Sequence, residues 1–187
     1  MNLDEAILKR RSVRKFTDEE VNDSDIKKIL ETASWAPSWA NTQVWEFVVV
    51  RDKEKIEKVV NTFSEKNPAY NGALKSSALI VACAQKGISG NKGGKEVTKF
   101  SNWFMFDLGL ACQNLCLKAH SLGLGTVIVS LMDHAQCQKI IELPENYEVV
   151  AVIPLGKPLV PDKNPPPRKE LASFTHLNKF NNPFLQN

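Results

Sequence analysis

Residues Trp103–Gly123 form the longest periodic stretch of the chain. Apolar residues recur there at the three- and four-residue spacing of one helix face, at Phe104, Leu108, Ala111, Cys112, Leu115 and Ala119. Further apolar residues lie off that face, at Phe106, Leu110 and Leu117. A helix that is apolar around most of its girth lies at the centre of a fold or at an interface. Because monomers rarely expose large apolar patches, we expect this helix to pack across the two-fold axis of a homodimer.

The remaining elements indicate an α+β fold, because helical and strand patterns intermix without a strict βαβ rhythm. Helices are predicted over Leu3–Arg10, from a cap at Asp23 or Ser24, from Asp52, and after Asp133. Strands are predicted over Trp45–Val50, Leu79–Ala84, Thr126–Leu131 and Tyr147–Leu155. With 187 residues, we expect one domain over 1–187. Four prolines between Pro161 and Pro167 predict an extended C-terminal arm, about 158–187.

Composition excludes several classes of protein. The 24 Lys and Arg residues against 21 Asp and Glu give a formal charge of +3, too balanced for a chain whose main partner is nucleic acid. The longest apolar run, Ala78–Ala84, is far shorter than the roughly 18 residues that cross a bilayer. The acidic Met1–Glu5 does not resemble a secretory signal. We therefore expect a cytoplasmic protein with no membrane contact.

The cysteines predict buried thiols and not a metal site. Cys83, Cys112, Cys116 and Cys137 form no CxxC pair, and only three histidines accompany them. Free cysteine is among the most buried residue types, and thiols stay reduced in the cytoplasm.

Three polar segments are candidates for a binding site. The first, Arg10–Lys15, has four cations in six residues, and arginine forks match phosphate oxygens in bidentate fashion. No further basic runs or interleaved aromatics flank it, which favours one compact phosphate over nucleic acid. The alternative is a solvated basic edge.

The second segment, Ala36–Trp45, offers neutral hydrogen-bonding groups at Ser38, Asn41, Thr42 and Gln43 beside tryptophans. Such groups suit a flat heteroaromatic ring with N–H and C=O edges. The alternative is a capping turn whose tryptophans belong to the core.

The third segment, Pro165–Lys169, places Arg168 and Lys169 after three stiffening prolines, where they could close over the same phosphate. The alternative is a solvated tail. The glycine-rich segment Lys86–Lys95 predicts a mobile loop or a lid; it lacks the spacing of a phosphate-binding P-loop.

Five sequence motifs, in order along the chain, resemble those of the nitroreductase family of flavin enzymes. They are Arg10–Phe16, the Ala-Pro-Ser-x-x-Asn-x-Gln segment Ala36–Phe47, the helix Asp107–Leu115, its exit Leu122–Thr126, and the last strand Leu143–Pro158. Val44 stands where the family commonly has proline, Trp39 is bulky between Ser38 and Asn41, and Leu131 places an isobutyl group where the family often has a small residue.

The resemblance implies a central, mostly antiparallel sheet flanked by helices, and an obligate homodimer with FMN in two interface sites. Arg10, Arg11, Ser12 and Arg14 would hold the FMN phosphate and ribityl chain, and Arg168 or Lys169 would complete the phosphate site. Pro37, Ser38, Asn41 and Gln43 would reach the flavin from the partner subunit. The backbone amides of Ser130 and Leu131 would lie near flavin N5 and O4.

The resemblance also implies the chemistry: a hydride passes from NADH or NADPH to flavin N5 and then to a nitroaromatic, quinone or similar acceptor, by a ping-pong mechanism. No catalytic side chain is named; Arg14 is the candidate for the positive charge near N1–C2=O. One alternative is a non-catalytic FMN-binding or storage protein of the same fold. Another is a specialised reductive step such as dehalogenation, which we disfavour because the segment between Phe63 and Trp103 is short.

Overall fold

The structure, a computed structural model, describes residues 1–160 and 164–184. The helices are α1 (Leu3–Lys9), α2 (Asp23–Ala33), α3 (Lys53–Val60), α4 (Tyr70–Ala73), α5 (Phe104–Ser121) and α6 (His134–Ile140), with 3-10 turns at Trp39–Asn41 and Leu171–Ser173. The strands are β1 (Trp45–Val50), β2 (Ala78–Gln85), β3 (Asn91–Lys92), β4 (Lys95–Glu96), β5 (Gly125–Thr126) and β6 (Tyr147–Gly156).

The central sheet has four strands in the order β1–β2–β6–β5, and every neighbouring pair is antiparallel. Residues Ala78–Ala84 of β2 are fully buried, because helices cover both faces of this strand. Alternate residues point to opposite faces. Ile80 and the other β2 residues on its face pack with α2 and α5. Val81 and the β2 residues on the opposite face pack with α3 and α6. The predicted α+β architecture is confirmed.

The helix starts follow side-chain caps. Asp52 and Asp133 cap α3 and α6 as predicted, each accepting the N–H three residues ahead. The start of α2 differs from the prediction: Asn22, and not Asp23 or Ser24, accepts the N–H of Asp25. Asp23 is instead the first helical residue, where its charge favours the helix dipole.

The strand predicted over Thr126–Leu131 is wrong beyond Thr126. Regular pairing ends with β5, and only Val129 makes a further bridge, to Val152 of β6. The chain then leaves the sheet because its next polar groups bond elsewhere: the Leu131 carbonyl accepts from the N–H of Ser64, and Met132 bridges Phe63.

The segment Lys86–Lys95 contains a short hairpin that its sequence did not predict. Strands β3 and β4 pair across Gly93 and Gly94, whose φ angles are +60° and +76°. Two consecutive left-handed residues make the kind of turn that matches strand twist, and glycine adopts it without strain.

Helix α5 divides into a buried face and an exposed face. Leu108, Leu115 and neighbouring apolar residues are buried in the core. Phe106 on the opposite face is 59% exposed, and Trp35, at the end of α2, is 85% exposed. An exposed apolar face of this kind marks an interaction surface. Among the described residues, no helix combines the length and apolar character that crossing a membrane requires.

The C-terminal segment begins paired and then becomes irregular. Pro158 bridges Phe16, and the N–H of Leu159 donates to the carbonyl of Lys15, so the predicted arm is fastened at its start. Pro161 of the predicted proline run lies outside the described residues. Residues 164–170 are exposed and form no helix or strand.

Candidate functional site

The cationic segment Arg10–Lys15 is held in an extended form along the edge of the sheet. Helix α1 ends at Lys9, and the next residue, Arg10, has φ and ψ of −56° and 131°, which are not helical. Ser12 forms a parallel bridge with Thr126 of β5, and the N–H of Val13 donates to the Thr126 carbonyl at 2.9 Å. Buried Phe16 then bridges Pro158. Because both ends are fastened, the cations between them have a fixed backbone.

Two glycines permit this close packing. A Cβ at Gly125 would come within 2.7 Å of the Val13 side chain. A Cβ at Gly72, in α4, would come within 2.0 Å of the Arg14 carbonyl oxygen. Both distances are shorter than real contacts allow, so only glycine lets the cationic segment sit at this depth.

A cavity of about 530 Å³ opens beside this segment. Among the described residues, it is lined by Arg10, Arg11, Ser12, Val13, Arg14, Lys15, Pro68, Val160, Asn164, Pro166 and Arg168. The N-terminal segment therefore meets the C-terminal segment here, as the pairing of Pro158 and Leu159 with residues 15–16 requires. The volume is in the range of about 300–1,000 Å³ that is typical of small-molecule sites.

The cavity is strongly positive. Five of its described lining residues are Lys or Arg, and none is acidic. Two guanidinium groups partly brace the backbone: Arg14 donates to the Ser12 carbonyl at 3.2 Å, and Arg11 to the Leu8 carbonyl at 2.7 Å. Arginine offers five donors in a fixed fork, so the bond of Arg14 to the backbone leaves donors of this residue for an anion. The arrangement suits a phosphate.

Most of the predicted phosphate residues are thus brought together. Arg10, Arg11, Ser12, Arg14 and Arg168 all line the cavity, whereas Lys169 is exposed and outside its lining. Pro68 also lines the cavity and was not predicted, because nothing in its irregular segment indicated that it lies near Arg10–Lys15.

The predicted amide residues lie outside this cavity. Pro37, Ser38, Asn41 and Gln43 form a separate loop before β1, which we call the amide loop (residues 37–43). The Ser38 Oγ accepts from the N–H of Gln43 at 2.9 Å, and the Gln43 side-chain amide donates to the Asn41 Oδ1 at 3.2 Å. Asn41 and Gln43 are exposed.

A buried carboxyl group that sequence reasoning missed holds the amide loop against α5. Asp107 is 1% exposed, and its Oδ1 accepts from the backbone N–H of Trp39 at 3.1 Å. Its Oδ2 accepts from the Ser89 hydroxyl at 2.6 Å. The only indication in the sequence is a single acidic residue early in an apolar helix.

Ser130 and Leu131 do not line the cavity. Leu131 contacts the segment of residues 64–67, which directly precedes Pro68 of the cavity lining. The Leu131 carbonyl accepts from the Ser64 N–H at 3.1 Å and from the Asn67 side-chain amide at 3.4 Å. Pro68, the next residue, reaches the cavity. Both Ser130 and Leu131 are exposed, and Leu131 is 64% so.

The four cysteines are free and buried. Burial raises the pKa of Cys83 and of Cys112 to about 12 and that of Cys137 to about 11; it also raises the pKa of Cys116, against a hydrogen bond with Thr126. Thiols with such pKa values stay protonated and unreactive at neutral pH. Within the described ranges, no group of His, Cys, Asp and Glu is arranged to hold a metal ion.

Comparison with known proteins gives one consistent family. The model of the nitroreductase family matches residues 7–157. A protein of Methanothermobacter thermautotrophicus, provisionally named an NADH dehydrogenase/NAD(P)H nitroreductase, is 36% identical over 164 residues, which cover 84% of this chain and 78% of the relative. The NADPH-flavin oxidoreductase of Vibrio harveyi is 30% identical over 184 residues, covering 96% of this chain and 75% of the relative.

A solved structure agrees with these relatives. The FMN-dependent nitroreductase of Clostridium difficile R20291 superposes with a TM-score of 0.78 at 26% identity, covering 95% of this chain and all of that one. The sequence match spans the cationic segment, the amide loop, α5 and the central sheet. The resemblance in the sequence is thereby confirmed, and the chain belongs to the nitroreductase family.

Proposed function

We propose that the protein is an FMN-dependent oxidoreductase that transfers reducing equivalents from NADH or NADPH to a nitroaromatic, a quinone or a similar small acceptor. The observation that carries this proposal is the cavity lined by Arg10, Arg14 and Arg168 in a member of this family. The names of the relatives, which combine NAD(P)H with flavin or nitroreductase, agree with it.

The residues of the cavity fit FMN by their chemistry. The FMN phosphate is a compact dianion, and five cations without an acidic lining residue stabilise such a group. Arg10, Arg11, Ser12 and Arg14 would hold the phosphate and ribityl chain, and Arg168 would approach from the C-terminal segment. Lys169 would contribute at longer range, because its side chain lies outside the lining.

A second copy of the chain completes the proposed site. Within one chain, the amide loop and the cavity are separate, so the side chains of Pro37, Ser38, Asn41 and Gln43 would come from the other subunit of a homodimer. The exposed face of α5, with Phe106 59% exposed, is the surface that such a dimer would cover. Burying this face removes an apolar patch from water.

When bound, FMN supplies the chemistry of hydride acceptance and delivery at its isoalloxazine ring. The protein would hold this ring and leave one face accessible to both donor and acceptor. Arg14 would place positive charge near the N1–C2=O edge, and the backbone amides of Ser130 and Leu131 would lie near the N5 and O4 side. We name no side-chain acid or base, because water can deliver the proton to the acceptor.

Steady-state kinetics test this proposal. The protein reconstituted with FMN should oxidise NADH or NADPH faster when a nitroaromatic or a quinone is added, with the parallel double-reciprocal lines of a ping-pong mechanism. A halogenated phenol in the same panel tests the specialised reductive alternative. FMN that binds but is not reduced by either nucleotide would contradict the proposal and favour an FMN-storage protein.

A further inference from the structure

Among the described residues, Asp107 is the most deeply buried carboxyl group, and it lies outside the proposed cofactor cavity. It is 1% exposed, although aspartate is rarely buried so completely unless its oxygens are paired. Its position in the first turn of α5 places it near the positive end of the helix dipole. The proposed chemistry assigns it no role.

The two oxygens of Asp107 bind two segments that are distant in sequence. The Trp39 N–H, 68 residues away, donates to Oδ1 at 3.1 Å, and the Ser89 hydroxyl, 18 residues away, donates to Oδ2 at 2.6 Å. Buried polar groups are kept only when they are hydrogen-bonded, so these contacts explain how the carboxyl group is tolerated. Asp107 therefore joins the amide loop to the segment that leads into the β3–β4 hairpin.

The amide loop contains three residues in a disfavoured backbone conformation. Ala40, Asn41 and Gln43 have φ angles of +46°, +57° and +47°. Residues with a side chain disfavour this region, and such strain persists only where surrounding contacts hold it. Among the described residues, the other hydrogen bonds of residues 38–43 run within the loop or involve exposed groups. The Trp39–Asp107 bond is the one that fastens the loop to a buried side chain.

The hydrogen bond of Asp107 to Ser89 also lies in a tightly packed region. Ser89 is 2% exposed, and the next residue, Gly90, has a φ of +80°. A Cβ at Gly90 would approach Thr98 Oγ1 within 2.8 Å and Trp103 Cβ within 3.1 Å. The base of the hairpin therefore packs tightly against the start of α5. The Asp107 side chain cannot rotate away from Trp39 without also breaking its hydrogen bond with Ser89.

We propose that Asp107 is a positioning residue that sets the conformation of the amide loop, and through it the presentation of Ser38, Asn41 and Gln43 to the flavin of the other subunit. The second half of this proposal rests on the proposed function. The first half concerns the loop itself and stands whether or not FMN binds.

Hydrogen exchange in the full-length protein without flavin tests the first half. In Asp107→Ala, the Trp39 amide should exchange at least about ten-fold faster, because it loses a charge-assisted hydrogen bond. The amides of β2 should exchange at the wild-type rate. In Asp107→Asn, the side-chain oxygen can still accept from Trp39, so exchange should return close to the wild-type rate.

The second half is tested by titrating the same variants with FMN. Asp107→Ala should weaken FMN binding by about ten-fold or more, and Asp107→Asn should restore most of it. Cys112→Ala is the matched control, because it also removes a buried group from α5 but leaves the Trp39–Asp107 hydrogen bond in place. If Asp107→Ala does not fold, Asp107→Leu fills the space without an acceptor and gives the same test.

Two results would overturn the proposal. One is an unchanged Trp39 exchange rate and unchanged FMN affinity in Asp107→Ala. The other is an equal loss of both in Cys112→Ala, which would reduce Asp107 to a contributor to general stability. A wild-type protein that does not bind FMN at all would instead contradict the proposed function, and the exchange data would still decide the role of Asp107 in the loop.

Discussion

Arg10 and Arg168 lie 158 positions apart in the sequence and line the same cavity. They meet because the chain after β6 pairs with the cationic segment, through the bond between Leu159 and Lys15. Local clustering of Arg10, Arg11 and Arg14 was visible in the sequence. For the segment that contains Arg168, the sequence left two alternatives open, a contact with the phosphate or a solvated tail. A proline-rich stretch does not show where in the fold it will lie.

Replacing Arg10 by alanine should weaken FMN binding by about 1.5–3 kcal/mol, the usual contribution of a hydrogen bond to a charged group. Fluorescence titration of the protein without flavin gives this difference directly. Lys139→Ala, which removes a surface cation on α6, is the control and should leave FMN affinity unchanged. An Arg10→Ala protein that binds FMN as tightly as the wild type would remove Arg10 from the site.

The buried cysteine thiols should be protected from chemical modification in the folded protein. Burial raises the pKa of Cys83 and Cys112 to about 12, so a thiol reagent at about pH 8 should not modify the folded protein within minutes. All four thiols should react after denaturation. Because the raised pKa values belong to the folded state alone, the unfolded chain loses thiol protons first as pH rises above about 9, and stability should fall there. Rapid modification of the native protein would contradict this description.

Asp107 shows where residue-level prediction from the sequence stops. Its partners, Trp39 and Ser89, lie 68 and 18 residues away. Neither spacing belongs to a local motif, and a lone acid on an apolar helix is equally consistent with the exposed face. Only the tertiary arrangement shows that both of its oxygens are used.

At the scale of elements, periodicity was a good guide wherever one face of an element is buried. Strand β1 has the predicted ends, and the apolar run in β2 is a central strand covered on both faces. The prediction was wrong after β5: Val127 and Val129 are buried with Phe63, and the residues that follow bond to the chain near Phe63 and not to β6. Four-residue α4 was not predicted, since its sequence is too short to show a period.

Helix α4 nevertheless lies against the cationic segment at Gly72, and a substitution there tests whether this contact matters for the site. Gly72→Ala would bring a Cβ within 2.0 Å of the Arg14 carbonyl, so α4 or the cationic segment must move. We expect a loss of about 1–3 kcal/mol in the free energy of unfolding, as for other overpacked sites, together with weaker FMN binding.

Chemical denaturation and FMN titration measure these two effects. Asn71→Ala is the matched control, because Asn71 is the exposed neighbour in the same helix and should change neither value appreciably. If Gly72→Ala has wild-type stability and affinity, the close approach of α4 to Arg14 does not matter for the site.

At the scale of the whole molecule, the apolar residues around most of the girth of α5 predict an interface from the sequence alone. One face of α5 is buried in the core, and Met105 and Phe106 on the other are 48% and 59% exposed. All six residues of the helix face identified in the sequence are buried, and Phe106, which lies off that face, is exposed. The separation of the amide loop from the cavity gives an independent reason to expect a second copy.

Phe106→Glu should therefore dissociate the proposed homodimer. Placing a charge in an apolar interface costs its desolvation, and we expect the dimer dissociation constant to rise at least about a hundred-fold. Sedimentation velocity measures the shift, and FMN binding should fall with it. Gln136→Glu adds the same charge on exposed α6 and should leave the dimer intact. A wild-type monomer that retains FMN at full occupancy would refute the two-subunit site.

We propose that the cavity beside Arg10–Lys15 holds the phosphate of FMN. The most direct test compares the affinity of the flavin-free protein for FMN and for riboflavin, which has the same ring and ribityl chain without the phosphate. If two or more charged hydrogen bonds hold the phosphate, FMN should bind at least about a hundred-fold more tightly than riboflavin. The Arg10→Ala substitution should reduce this difference in affinity between FMN and riboflavin. Equal affinities for FMN and riboflavin would contradict the assignment of the cavity.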